Sequence, residues 1–107
     1  MKLIIAIVSH DDSNVVTHNL SKNGFSSTKL STTGGFLRTG NATVLIGVED
    51  EKVQAAIDVI RDCCHSRKQM IPTTDGTSYS YMPTLPVEVT VGGATVFVVD
   101  VDRFERL

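Results

Sequence analysis

The sequence has few of the features that mark secreted, membrane or disulfide-rich proteins. It contains no tryptophan and only two cysteines, Cys63 and Cys64, among 107 residues. These cysteines are adjacent in a helical pattern, so their side chains point in different directions and an ordinary disulfide between them is unfavourable. No hydrophobic run is long enough to cross a bilayer. We therefore expect a cytoplasmic protein, in a reducing compartment, with no membrane insertion.

An excess of charge of one sign is also absent, since 10 basic residues face 12 acidic ones and the net charge is −2. Proteins that hold a nucleic acid polymer depend on bulk positive charge, so no such partner is expected. A small anion in a locally basic pocket is still allowed. His10, His18 and His65 match no metal-ligand spacing with the cysteines. No nucleophile has an evident base and orienting partner, so we predict neither a metal site nor an enzyme.

The hydrophobic periodicity that is present predicts the order strand, helix, strand, strand, helix, strand, strand. The predicted strands cover Lys2–Val8, Ser26–Thr32, Ala42–Val48, Val87–Val91 and Ala94–Val99, and the helices follow Asp11 and Glu49. This order predicts an α+β fold, a ferredoxin-like βαββαβ sandwich with an extra C-terminal strand and both helices on one face of an antiparallel sheet. Gly92 and Gly93 predict a tight hairpin between the last two strands.

The chain is expected to form a single domain, 1–107, with a short loop at 33–41 and a long flexible loop at 66–85. Several strands are apolar on both faces. In the first strand, Leu3, Ile5 and Ile7 alternate with Ile4, Ala6 and Val8. Two helices can cover only one face, so we predict that subunits of a closed homo-oligomer cover the other. The alternative is that the long loop folds back over the sheet.

The densest functional signal is the segment 32–41. Paired glycines let a backbone approach a ligand, an aromatic ring can stack on a base, cations neutralise phosphates, and an amide can pair with an adenine edge. The residues that could do so are Gly34, Gly35, Phe36, Arg38, the nearby Lys29, and Asn41. The alternative interpretation is an ordinary loop between strands, with a core phenylalanine and a hydrogen-bonded asparagine.

Two long motifs also resemble a known family. They are Thr28–Asn41, which reads TKLSTTGGFLRTGN, and Pro86–Val98, which reads PVEVTVGGATVFV. Together with the opening MKLIIAIV they resemble the cyclic-di-AMP receptor branch of the PII-like signalling proteins, over essentially the whole chain. The resemblance implies a PII-like homotrimer that binds this second messenger in clefts between subunits. Ligand binding would reorder the flexible loops and thereby control a downstream protein, with no other cofactor.

By position, the resemblance implies that the pocket is lined by Thr28, Gly35, Phe36, Leu37, Asn41 and Gly47, with Gly92 and Gly93 as further backbone contacts. Two positions depart from the family pattern. Ser26 stands where an arginine often reaches the ligand, and Gly24 replaces an asparagine. Two alternatives stay open at this point: a trimer that binds ATP or ADP, and a scaffold that binds no nucleotide.

Overall fold

The computed structural model of the chain describes residues 1–30, 40–71 and 87–107. Within these ranges lie six strands, two α-helices and a short 3₁₀ turn, Asp50–Lys52. The strands are β1 (Lys2–Ser9), β2 (Ser27–Leu30), β3 (Asn41–Val48), β4 (Arg67–Ile71), β5 (Val87–Val91) and β6 (Ala94–Asp100), and the helices are α1 (His10–Lys22) and α2 (Val53–Cys63).

Four of the strands form one antiparallel sheet in the order β2-β3-β1-β6. β1 lies inside this sheet and pairs along its length with both β3 and β6, so that Ile4 is opposite Ile46 on one side and Val98 on the other. β4 and β5 pair with each other in a separate two-stranded sheet. The predicted α+β class, an antiparallel four-stranded sheet with two helices, is therefore confirmed.

The extra strands occupy a different place from the one the sequence suggested. The fourth strand of the main sheet is β6, the last in the chain, and the additional pair β4–β5 is inserted between α2 and β6. The prediction of a hairpin at Gly92 and Gly93 is wrong, because these glycines connect β5 and β6, which belong to different sheets and do not pair with each other. β6 is apolar enough to pair with the central strand, whereas β5, with alternating polar residues, pairs with the polar β4. The stretch 66–85 thus begins with a strand, and its residues 72–85 lie outside the described ranges.

The hydrophobic core lies between the two helices and one face of the main sheet. Burial alternates along β1 and β3, as a period of two residues requires when only one face is covered by helices. The buried side chains are Ile4, Ala6, Val8, Ala42, Val44, Ile46 and Val48 from the sheet, with Val16, Leu20, Ala56, Ile60 and Cys64 from the helices and their ends. Both helices therefore lie on one face, as predicted.

The other face of the sheet is also apolar, and neither helix covers it. Leu3, Ile5 and Ile7 are only partly buried there. On β6 the side chains of Phe97 and Val99, opposite Ile5 and Leu3 in the register, are 53% and 42% exposed. Within the described residues, the chain therefore leaves a continuous apolar surface, which we call the open face.

An ion pair joins α1 to β4. The carboxylate of Asp12, in the first turn of α1, is almost fully buried, and its Oδ1 lies 3.2 Å from Nη2 of Arg67. The Arg67 guanidinium also donates to the carbonyl oxygen of His65 at 3.2 Å. Asp12 thus links the first turn of α1 to the β4–β5 pair. The residue before the helix, Ser9, makes no side-chain cap.

Substitutions at two glycines should separate backbone strain from steric overlap. Gly24 and Gly92 have φ of +84° and +83°, but only a Cβ at Gly92 would overlap the carbonyl oxygen of His65. We expect Gly24→Ala to cost about 1–2 kcal/mol of unfolding free energy, the penalty of a left-handed backbone. Gly92→Ala should cost about 3–4 kcal/mol, because the backbone at His65, just before β4, must also shift. Urea unfolding at one protein concentration measures both, and equal losses would contradict the overlap.

Candidate functional site

A cavity of about 600 Å³ opens at the end of the main sheet where β2 begins and β3 ends. This volume is within the range of small-molecule sites. Its walls come from four parts of the chain: the start of β1, the turn into β2, the end of β3 with the following 3₁₀ turn, and the C-terminal segment. The lining residues are Met1, Leu3, Gly24, Phe25, Ser26, Thr28, Leu45, Gly47, Val48, Glu49, Lys52, Val101, Phe104 and Arg106.

The floor of the cavity is one end of the open face. Thr28 is opposite Leu45, and Gly47 is opposite Leu3, so these four residues share the sheet face that points away from the helices. Gly47 is exposed, and a Cβ placed on it would have no atom within 4 Å. The absence of a side chain therefore leaves the β3 backbone open to a ligand at this point.

Charged groups stand around the cavity. The N-terminal amino group lies 2.9 Å from Asp50 Oδ1, and this hydrogen bond raises the pKa of the amino group and lowers the pKa of the Asp50 carboxyl. Lys52 and Arg106 enter no ion pair with any residue in the described ranges. Among the described lining residues, Glu49 is the one acidic residue. This part of the cavity thus offers two cations to an anionic ligand, against one carboxylate.

The structure brings together only some of the residues that the sequence suggested. Thr28 and Gly47 line the same cavity, as do the two departing positions Gly24 and Ser26. Asn41 lies at the opposite end of β3, where it is exposed and paired with Ser9. Gly47 is six positions further along β3 than Asn41, which is about 20 Å along the same face.

Other candidate residues lie elsewhere. Lys29 faces the helix side of the sheet, where its Nζ donates to Asn14 Oδ1 at 3.2 Å, so it is turned away from the cavity. Gly93 lines a second cavity of about 460 Å³ between the end of α2 and β6, and Gly92 packs against His65. Gly34, Gly35, Phe36, Leu37 and Arg38 lie outside the described residues.

The second cavity is also lined by Cys64, which is buried. Burial is the main cause that raises the pKa of its thiol to about 11, and the negative charge of Asp12 adds to the effect. A thiol with so high a pKa is almost entirely protonated at neutral pH and is a weak nucleophile. Cys63 accepts a hydrogen bond from Asn19 Nδ2 at 3.0 Å. Cys64 therefore packs at the end of helix α2 and offers no reactive thiolate.

Sequence reasoning missed the contribution of the C-terminal segment. β6 pairs with β1 as far as Asp100 opposite Lys2, and the Val101 N–H then donates to the Met1 carbonyl oxygen at 3.2 Å. This contact directs Phe104 and Arg106 to the cavity. The only sequence signal was an aromatic residue inside a charged stretch.

Two further features bear on the class of protein. Among the residues that the structure describes, no helix is long and apolar enough to span a membrane. Within the same ranges, no three histidine, cysteine or acidic side chains come close enough together to hold a metal ion.

Comparison with known proteins agrees with this geometry. The chain matches the family described as cyclic-di-AMP receptor over residues 1–107. It belongs to that family. It is also similar to the crystal structure of a functionally unknown protein from Pediococcus pentosaceus ATCC 25745, with 42% identity and a TM-score of 0.73. The match covers 99% of this chain and 96% of that one. The resemblance noted in the sequence is therefore confirmed, and a receptor family implies a role in binding and signalling.

Proposed function

We propose that this protein is a cytoplasmic PII-like signal transducer that binds cyclic-di-AMP in the clefts between the subunits of a homotrimer. The observation that carries the proposal is the cavity at Thr28 and Gly47, in a chain that belongs to the cyclic-di-AMP receptor family over its whole length. Its role is to bind and transmit, without catalysis. The ligand itself is the only small molecule that this function needs.

The chemistry of the cavity suits a dinucleotide. Leu3 and Leu45 give the floor an apolar surface for a flat base, and the exposed backbone at Gly47 allows close approach. Cyclic-di-AMP carries two phosphodiester charges, and Lys52 and Arg106 on the walls can neutralise them. The combination of apolar floor and cationic wall supports a nucleotide over an uncharged ligand.

The separation of the candidate residues supports a site between subunits. Asn41 and Gly47 share the open face but stand about 20 Å apart along β3. If both ends contact one ligand, the Asn41 end is supplied by a neighbouring subunit. The exposed Phe97 and Val99 give that neighbour an apolar surface to pack against. A cyclic trimer would bring the Asn41 end of one subunit to the cavity of the next.

The first test is calorimetric titration with cyclic-di-AMP, with ATP and cyclic-di-GMP as comparison ligands. We expect one cyclic-di-AMP per subunit with micromolar or tighter affinity, because the cavity offers both base and phosphate contacts. Gly47→Leu should abolish detectable binding, since its side chain would fill open space in the cavity. The control Ala55→Leu adds similar bulk at an exposed position on α2 and should bind as the wild type does.

Tighter binding of ATP would favour a receptor for another adenine nucleotide. Failure of every nucleotide to bind would favour a scaffold, and it would contradict the proposed function.

The trimer is tested by a charge on the open face. Phe97→Glu should dissociate the assembly into monomers in sedimentation velocity, because a carboxylate would become buried without a partner between subunits. The control Val15→Glu places the same charge on α1 at a position of similar exposure, 51% against 53%, and should leave the assembly unchanged. A wild-type monomer, or a Phe97→Glu variant that sediments like the wild type, would contradict the trimer.

Transmission to a partner is proposed to pass through the two loops, 33–41 and 66–85. Bound ligand would order these segments and so change the surface that a downstream protein meets. We expect cyclic-di-AMP to slow amide hydrogen exchange in both loops, while exchange in α2, on the other face of the sheet, stays the same. If exchange in 66–85 is the same with and without ligand, this segment does not take part in the switch.

A further inference from the structure

We propose that the C-terminal segment 101–107 forms one wall of the ligand site, where the Arg106 guanidinium binds a phosphodiester of cyclic-di-AMP and Phe104 stacks on an adenine. This inference rests on the proposed function and assigns to it two residues that the sequence motifs did not include. The inference is based on one observation: Arg106 lines the same cavity as Ser26, Thr28 and Gly47.

The segment begins from a fixed position. The last residue of β6, Asp100, pairs with Lys2 in the register, and the two side chains form an ion pair. The Val101 N–H then donates to the Met1 carbonyl oxygen at 3.2 Å. These contacts hold the start of the segment beside the first residues of β1, which themselves line the cavity. The pairing of β6 with β1 therefore positions the segment so that Phe104 and Arg106 line the cavity.

The two arginines of this segment have different surroundings. Arg103 is engaged by Glu105, whose Oε1 lies 3.2 Å from Nε and 2.5 Å from Nη2, and it does not line the cavity. Arg106 lines the cavity and enters no ion pair with a residue of the described ranges. A guanidinium can donate two parallel hydrogen bonds to a phosphate, which a lysine ammonium cannot match in geometry. Arg106 is thus the residue suited to bind a phosphodiester.

Among the described residues, Arg106 is the one arginine that lines this cavity. Position 26 offers only a hydroxyl, and Lys29 points to the opposite side of the sheet toward Asn14. Lys52 supplies a second positive charge to the cavity, and the carboxylate of Glu49 reduces the net positive charge there. Of the described lining residues, loss of Arg106 would leave one cation, Lys52, and one carboxylate, Glu49, beside a ligand with two negative charges. Binding should therefore depend strongly on Arg106.

Phe104 adds an aromatic face. Its side chain is 58% exposed although it lines the cavity, so a large apolar surface faces solvent in the single subunit. An adenine that stacks on this ring would cover it, and base–aromatic stacking is sequence-tolerant and strong. A phenylalanine and an arginine two positions apart on one short segment can contact the base and the phosphate of one nucleotide.

The experiment compares two arginine variants of the full chain by calorimetric titration with cyclic-di-AMP. We expect Arg106→Gln to raise the Kd about 10- to 100-fold, because a charge-assisted contact is lost. The matched control, Arg103→Gln, removes the same charge from the same segment and should change the Kd less than about twofold. Phe104→Leu keeps an apolar side chain but loses the stacking face, and should raise the Kd about tenfold. Unchanged thermal unfolding and sedimentation show that each variant folds and assembles.

A rescue variant makes the test specific to the position of the charge. Ser26→Arg, introduced into the Arg106→Gln protein, places a guanidinium on another wall of the same cavity. It should reverse at least half of the increase in log Kd that Arg106→Gln causes. If the wild type binds cyclic-di-AMP but the Arg106→Gln and Arg103→Gln variants have equal Kd values, this inference is overturned and the proposed function stands. No binding of cyclic-di-AMP by the wild type overturns both.

Discussion

The structure depends on the pairing of β1 with β3 on one side and β6 on the other. Ile4 is opposite Ile46 and Val98, while Ile5 is opposite Leu45 and Phe97. Because successive side chains of a strand alternate between faces, this register sends one apolar set to the helices and the other to the open face. A slip of one residue would exchange the two sets, and the helices would lose their core.

The same register assembles the cavity. Lys2 is opposite Val48 on one side and Asp100 on the other, so the start of the chain, the end of β3 and the end of β6 meet at one edge of the sheet. β2 pairs with β3 and brings Thr28 to this edge. Residues more than 50 positions apart in the chain thus line one cavity. The proposed ligand would contact the ends of several elements, whose positions all depend on β1.

The ion pair between Asp12 and Arg67 controls a different part of the molecule. It links α1 to the β4–β5 pair, and within the described residues the second oxygen of the Asp12 carboxylate has no hydrogen-bond donor. A buried carboxylate with one partner is strongly destabilised when that partner is lost. The negative charge also helps raise the pKa of the neighbouring Cys64 thiol. The position of the β4–β5 pair is therefore coupled to the first helix.

The sequence by itself determined the main strands, both helices, the two-sided apolar character of the sheet and the family, because these follow from periodicity and from long contiguous motifs. Thr28 and Gly47 were identified through those motifs. Only the tertiary structure decided that Arg67–Ile71 forms a strand, since its polar residues lack a strand pattern until β5 pairs with it. It alone turned Lys29 to the helix side and brought Phe104 and Arg106 to the cavity. Long-range strand pairing fixes such contacts, and neither local propensity nor spacing records which distant strands will pair.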